Sequence, residues 1–375
     1  MSKNEGRVSV AIFFGGQSSE HEISCLTTIG VLGALDTTRF DACGVGITKD
    51  GRWVRYDAAD MAAMTVVDGR FPTVDENRPE AVLSHGDGHV WLATRHGDVM
   101  VDTQEIDVAM PLLHGPFGED GTIQGLFEML GLRYVGAGVA ASAVGMDKHL
   151  MKVAFEAAGL RVEPYRVFAA ATSASEVVSE IAGAGISYPV FVKPARGGSS
   201  VGISRVVSPD GLPAALELAR RFDPKVLVEQ GVEDAREIEC AVLGPVPGGD
   251  GTVRTSRPGE IIVHSAGRFY DYEAKYVDEA AADVVAPADL PDGLAAEIRA
   301  DAARAFKAIG AEGLSRVDFL VRSDGTVVVN EINTMPGFTE ISAFPLMWRV
   351  DGMSYQALIT DLLDQALARP SGVVR

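Results

Sequence analysis

Cysteine is scarce. Cys25, Cys43 and Cys240 are the only three in 375 residues, odd in number and far apart, with no metal-ligand spacing. That excludes a disulfide framework and a cysteine-bound zinc, and it points to reduced thiols in the cytoplasm. Long apolar runs are also missing. None is long enough to cross a bilayer, and the opening MSKNEGRVSVAIFFGG mixes acid with base ahead of an apolar run too short for a signal peptide. Basic residues are outnumbered: 33 Lys and Arg against 52 Asp and Glu give a net charge of −19. Nucleic acid and anionic membranes are therefore poor partners, and any phosphate must be met by local groups. Neither a GxGxxG fingerprint nor a GK[ST] opening a helix is present. Internal repeats and low-complexity linkers are absent as well. What remains, 47% hydrophobic and 23% charged residues, is ordinary globular composition in a chain long enough for two or three domains.

The stretch RVDFLVRSDGTVVVNEINTMPGFTEIS, residues 316–342, reads as a hairpin with polar residues in register. An Asp324-Gly325 turn of two residues pairs Ser323 with Thr326 and, counting outward, sets Asp318 opposite Glu331 and Arg316 opposite Asn333. The period of two gathers those four on one face and leaves Val317, Phe319, Val321, Val328 and Ile332 on the other. Facing carboxylates repel unless a positive charge lies between them. Asp318, Glu331 and the Asn333 oxygen suit Mg²⁺, which takes few protein ligands and completes its shell with water and phosphate. Arg316 would then hold an anion beside the metal. The competing reading is a solvated face with a cross-strand arginine.

Along the rest of the chain, VSVAIFF at 8–14 reads as a buried parallel strand entering Gly15-Gly16. Ser18 or Ser19 is placed to cap a helix starting near Glu20, with Ile23, Leu26, Ile29 and Leu32 along its buried side. Glu20 suits an ammonium group, or it serves as a first-turn partner of the helix dipole. Residues 50–105 alternate short strands and turns without evident chemistry, and His85, His89 and His96 read as surface loop residues. After a further strand, a Gly-rich loop carries His114, either a satisfied turn residue or one facing a carboxylate substrate, before a helix from Thr122. MDKHLMKVAFEAAGL is an amphipathic helix opened by Lys148. Lys193 ends an apolar strand before Gly197, Gly198, Ser199 and Ser200, a loop able to close on phosphate oxygens or to be a plain glycine turn. Glu229 and Glu237 flank a linker that is either a solvated acidic turn or the edge of an adenine and ribose pocket. Three tyrosines with Lys275 in HSAGRFYDYEAKYV, 264–277, read as a lid or as a packed surface loop. Helices are expected at 292–309 and 353–368.

In this order, GGQSSEHEIS, LHGPFGEDGTIQG, MDKHLMK, VKPARGGSSVG, YDYEAKY, SRVDFL and NEINTMPGFT span almost the whole chain, and together they resemble the ATP-grasp superfamily, most closely the D-alanine:D-alanine ligases. The resemblance implies an α/β (α+β) ATP-grasp fold of three domains, an N-terminal Rossmann-like one over 1–136, a central one over 137–231 and a C-terminal one over 232–375. ATP would lie between two antiparallel sheets. Lys148 and Lys193 match phosphate-binding lysines, Ser199 and Ser200 the phosphate lid, and Glu229, Gln230, Val232 and Glu237 the adenine and ribose pocket. Asp318, Glu331 and Asn333 match ligands of two Mg²⁺ ions, a role Mn²⁺ also fills.

The implied reaction joins two D-alanines through an acyl phosphate, for peptidoglycan precursors. Glu20 would bind the first ammonium group, joined by Ser199 and Tyr276, with His114 beside the first carboxylate and Ser342 at the second. Arg316 and the Gly337 amide would stabilise the tetrahedral oxyanion. Lys275 falls in the ATP-side loop, and closure of 268–276 would keep water from the acyl phosphate. A homodimer is also implied. The nearest rival is a D-alanine:D-lactate ligase, followed by another ATP-grasp amino-acid ligase and a non-catalytic nucleotide-binding regulator.

Overall fold

The computed structural model describes residues 6–67, 69–264 and 282–370, so the 264–277 loop, with Lys275 and Tyr276, lies almost wholly outside the described residues. Three sheets organise the chain. The first has eight strands. Val8–Gly15 lies at its heart, parallel to Phe40–Ile47 on one side and to Val108–Pro111 on the other, with Arg133–Tyr134 beyond. From Phe40–Ile47 outward, Trp53–Asp57, Glu80–Gly86, His89–His96 and Val99–Ile106 extend it antiparallel. His85, His89 and His96 therefore sit on strands rather than loops, exposed as expected.

Because the chain leaves the central strand toward opposite sides of the sheet, its carboxyl end and that of Val108–Pro111 form a switch-point crevice. The helix His21–Ala34 starts there, and its buried face differs from expectation. His21, Ser24, Thr27 and Thr28 are buried with Ile23, Cys25 and Val31, while Leu26, Ile29 and Leu32 are half-exposed. The polar face has backbone to serve. Ser24 Oγ accepts from Gly15 N–H at 2.8 Å and donates to the Leu112 carbonyl, tying together the ends of the two central strands. Glu20, not a serine, occupies the N-cap, without a side-chain cap. Ser18 Oγ instead accepts the Glu20 N–H at 3.2 Å. Gly15 has φ +85°, and a Cβ there would meet the Ile47 carbonyl oxygen at 2.4 Å, so only glycine fits the turn.

The second sheet, wholly antiparallel, runs Ser204–Val206, Val190–Pro194, Val226–Gln230, Tyr165–Phe168. Helices Ala174–Gly183 and Leu212–Arg220 cover the face bearing Val190, Val192, Val226 and Val228. Alternation sends Tyr165, Phe191, Lys193, Leu227 and Glu229 to the opposite face. The chain then crosses through 231–235 into the third sheet, also antiparallel, with strands Ala282–Val285, Gly259–Val263, Arg236–Leu243, Leu314–Val321 and Val327–Asn333, and Arg254–Thr255 at one side. Helices Lys148–Ala157 and Asp292–Ala308 pack on its Val317, Phe319, Val321, Val327, Val329 and Ile332. The C-terminal helices Ala343–Val350 and Tyr355–Ala368 share one core with Val10, Ile12 and Phe14 of the first sheet and Leu243 and Leu314 of the third. No helix among the described residues is long and apolar enough to cross a membrane.

The hairpin follows the expected pairing by a different route. Arg322 N–H donates to the Thr326 carbonyl and Gly325 N–H to the Arg322 carbonyl, closing a three-residue turn rather than a two-residue one. This shifts the register by one, pairing Val321 with Val327 and Phe319 with Val329, until a bulge at Asn330 restores it. Asp318 then faces Glu331 and Arg316 faces Asn333, as the count from the turn requires. The shift moves Val328 onto the polar residues' face opposite Leu320, so Val327 and Val329, not Val328, fill the core.

Candidate active site

Two clusters form where the three sheets meet. The first lies on the third sheet. Glu239, Asp318 and Glu331 stand in one row across three adjacent strands, Glu239 opposite Asp318 and Asp318 opposite Glu331. Arg316 supplies the compensating positive charge. Its Nε and Nη2 donate to the two Asp318 oxygens at 2.7 Å each, and its Nε lies 3.1 Å from Glu239. Burial disfavours the guanidinium charge, but Asp318 and Glu239 more than offset this and hold Arg316 protonated well above its ordinary range. Asn333 Nδ2 donates to Asp318 at 3.0 Å. Lys148 Nζ lies 3.9 Å from Glu331.

Lysines from the helix Lys148–Ala157 and from the second sheet approach this row. Lys148 begins a helix capped by Asp147, whose carboxylate accepts from the His149 and Leu150 N–H groups and from Lys225. Its ammonium donates at 2.6 Å to the carbonyl of Gly197, in the loop where Ser199 and Ser200 take the left-handed φ values 52° and 57°. Burial lowers the Lys148 pKa despite Glu331. Glu229 is 3% exposed; its Oε2 accepts from Lys193 at 2.7 Å and its Oε1 from Lys152. Burial would raise the Glu229 pKa, but the two lysines override it and bring it down to about 2. Burial likewise opposes the Lys193 charge, and Glu229 overrides it to raise the Lys193 pKa. Gln230 Oε1 accepts from the Ser187 N–H at 3.2 Å, Val232 lies in the 231–235 crossing, and Glu237 opens the next strand opposite Leu320.

The second cluster fills the switch-point crevice. Glu20 is 9% and His114 4% exposed. His114 Nδ1 donates to the Met335 carbonyl at 3.1 Å, and its buried Nε2 has no hydrogen-bond partner among the described residues. Glu119 completes a clasp: Oε2 accepts the Gly115 N–H at 2.8 Å and Oε1 the Met335 N–H at 3.0 Å. Burial, with a smaller contribution from Glu20, pushes the Glu119 carboxyl up to about 7 against the opposing pull of His114. His21, 1% exposed, donates through Nδ1 to the Gly16 carbonyl at 2.7 Å and accepts the Val74 N–H through Nε2 at 3.2 Å, fixing the Gly15-Gly16 loop. Beyond Met335, Gly337 is half-buried, and the Tyr355 hydroxyl donates to the Phe338 carbonyl at 2.6 Å. Ser342, at the start of Ala343–Val350, accepts the Thr339 N–H at 3.1 Å.

The structure thus gathers Lys193 and Glu229 of the second sheet, Arg316, Asp318, Glu331 and Asn333 of the third, and Lys148 at the start of its helix, and sets Glu20, His114 and the 335–342 loop at the crevice edge. Four neighbours escaped the sequence reading. Lys152 follows Lys148 by four residues and so shares its helix face, a legible signal; Glu239 alternates with Glu237; Glu119 and His21 carry no periodic mark. Among the described residues, no three His, Cys, Asp or Glu side chains form a ready metal-binding group. Asp318, Glu331 and the Asn333 oxygen are nonetheless a hard-oxygen set of the size Mg²⁺ uses when phosphates complete its shell.

Two family models cover most of the chain, "D-ala D-ala ligase N-terminus" over residues 9–137 and "D-ala D-ala ligase C-terminus" over 154–364. A D-alanine–D-alanine ligase of Pseudarthrobacter chlorophenolicus is 50% identical, covering 97% of this chain and 95% of its own. One from Bifidobacterium longum is 45% identical over 96% and 98%. Among solved structures, the D-alanine-D-alanine ligase of Coxiella burnetii superposes with TM-score 0.80 at 30% identity, covering 96% of this chain and 94% of that one. The VanG D-Ala:D-Ser ligase of Enterococcus faecalis does so with TM-score 0.80 at 32%, covering 96% and 99%. Both family models fall in chain order across the three sheets, and the fold is the ATP-grasp fold of these ligases: the chain belongs to the D-alanine–D-alanine ligase family.

Proposed function

We propose that this chain joins two D-alanines at the expense of ATP, in the cytoplasm and as a homodimer, to supply the dipeptide of peptidoglycan precursors. The observation that carries the reading is the facing of Lys148 and Lys193 with the Glu239–Asp318–Glu331 row, inside a chain half identical to ligases of that name. ATP lies between the second and third sheets. Its phosphates meet Lys148, Lys193 and the Ser199-Ser200 loop, and its adenine and ribose meet the wall formed by Glu229, Gln230, Val232 and Glu237.

Asp318, Glu331 and Asn333 hold Mg²⁺, which when bound neutralises phosphate charge and orients the γ-phosphate for in-line attack. Glu20 binds the ammonium of the first D-alanine, and His114, clasped by Met335, is aimed at its carboxylate. That carboxylate attacks the γ-phosphorus, the bond to the β-phosphate oxygen breaks, and ADP leaves an acyl phosphate. The amine of the second D-alanine, its carboxylate at Ser342 and the adjoining helix start, attacks the acyl carbon. Arg316 and the Gly337 N–H stabilise the tetrahedral oxyanion; losing one such donor costs roughly 10²- to 10³-fold in rate. Collapse forms the amide and expels phosphate. Asp318→Ala and Glu331→Ala, checked for folding by circular dichroism, abolish Mg²⁺-dependent dipeptide synthesis; turnover retained in either sinks the metal assignment.

A further inference from the structure

Lys152 is among the largest fully buried side chains, at 1% exposure. It lies one helical turn beyond Lys148 on the helix Lys148–Ala157 and is buried with Met151 and Phe155. Its ammonium pairs with Glu229 Oε1 and sits 5.7 Å from the centre of the Tyr165 ring. Glu229 therefore binds two lysines, one on each oxygen, and the two differ in access. Lys152's side chain is 2% exposed and Lys193's 13%. One lysine suffices to neutralise one carboxylate. The second leaves the trio with a net single positive charge, and burial of Lys152 confines that surplus to the exposed member, Lys193, at the end of Val190–Pro194.

We propose that Lys152 is a positioning residue for nucleotide binding: by cancelling the charge of Glu229 from behind, it leaves the Lys193 ammonium free to attract phosphate. This rests on the reading that ATP phosphates bind at Lys193. Without Lys152, Glu229 and Lys193 close into a neutral pair. A unit charge about 8 Å from a phosphate, at an effective dielectric near 20, changes affinity by roughly thirtyfold.

The test is titration of ADP with Mg²⁺ into wild type, Lys152→Met, Glu229→Gln and the double variant, alongside KM for D-alanine. Lys152→Met binds ADP roughly thirtyfold more weakly. It keeps the D-alanine KM, since that substrate lies across the cleft. Because Glu229 also lines the proposed adenine pocket, the double variant is compared with Glu229→Gln alone: it binds ADP within about fivefold of that single variant, so the loss of Lys152 costs far less there than in wild type, the non-additivity that marks action through Glu229. Wild-type affinity in Lys152→Met overturns the proposal, as does a double variant roughly thirtyfold weaker than Glu229→Gln. Should Lys152→Met lack the wild-type circular-dichroism spectrum, the double variant, which buries no unpaired charge, is set against Glu229→Gln and decides by the same fivefold and thirtyfold marks. A wild type that binds no ADP indicts the nucleotide site itself, and with it the proposal's premise.

Discussion

At Asp318 the carboxylate accepts two hydrogen bonds from Arg316 while Glu239 and Glu331 flank it on the neighbouring strands. The hairpin half of that row was readable in the sequence, because one chain segment carries both strands and a period of two fixes their faces. Glu239 was not, since its place depends on which distant strand pairs with Leu314–Val321, a choice made by the whole sheet. Glu119 illustrates the same limit, reaching Met335 across 216 residues. Its carboxyl, raised from the ordinary 4.5 to about 7 by burial, gives a pH prediction. Between those values the folded protein holds more protons than the unfolded chain, so stability falls as pH rises and levels off above about 7. Chemical denaturation across this range should show wild type losing stability relative to Glu119→Gln as pH rises; parallel curves would mean the carboxyl is ionised throughout.

Among the elements, the hairpin shows how a correct pairing arose from a miscounted turn. The Asp-Gly signal was legible, but the third turn residue and the compensating bulge at Asn330 were not, because either alone throws the site residues onto opposite faces and only the packed sheet selects both. Gly325 has φ +84° and open space around it, so the only penalty of a side chain there is its backbone. Gly325→Ala should cost about 1–2 kcal/mol of stability, and Gly325→Asn less. Equal denaturation midpoints for Ala and wild type would contradict the left-handed turn. The helix His21–Ala34 was legible in extent but not in orientation, since its polar residues are buried to bond the ends of the central strands.

For the molecule as a whole, the order of short motifs implied three α/β domains through the family resemblance it carries, whereas the docking between sheets left no local mark. The core that joins Val10 and Phe14 to Leu243, Leu314 and the C-terminal helices is built from residues more than two hundred positions apart. That core and the Glu119 clasp hold the switch-point crevice against the third sheet. A homodimer predicts twice the 39.6 kDa chain mass in light scattering at working concentration, and a monomer rejects it.

The most direct measurement is phosphate release by the purified protein with ATP and Mg²⁺, offered D-alanine, L-alanine, D-alanine with D-lactate, or D-alanine with D-serine, with products identified by mass. The account predicts D-alanyl-D-alanine from D-alanine, no product from L-alanine, and the same dipeptide as main product in both mixtures. A depsipeptide or a D-alanyl-D-serine product in excess would contradict the substrate assignment, and ATP binding without turnover on any substrate would contradict the ligase reading.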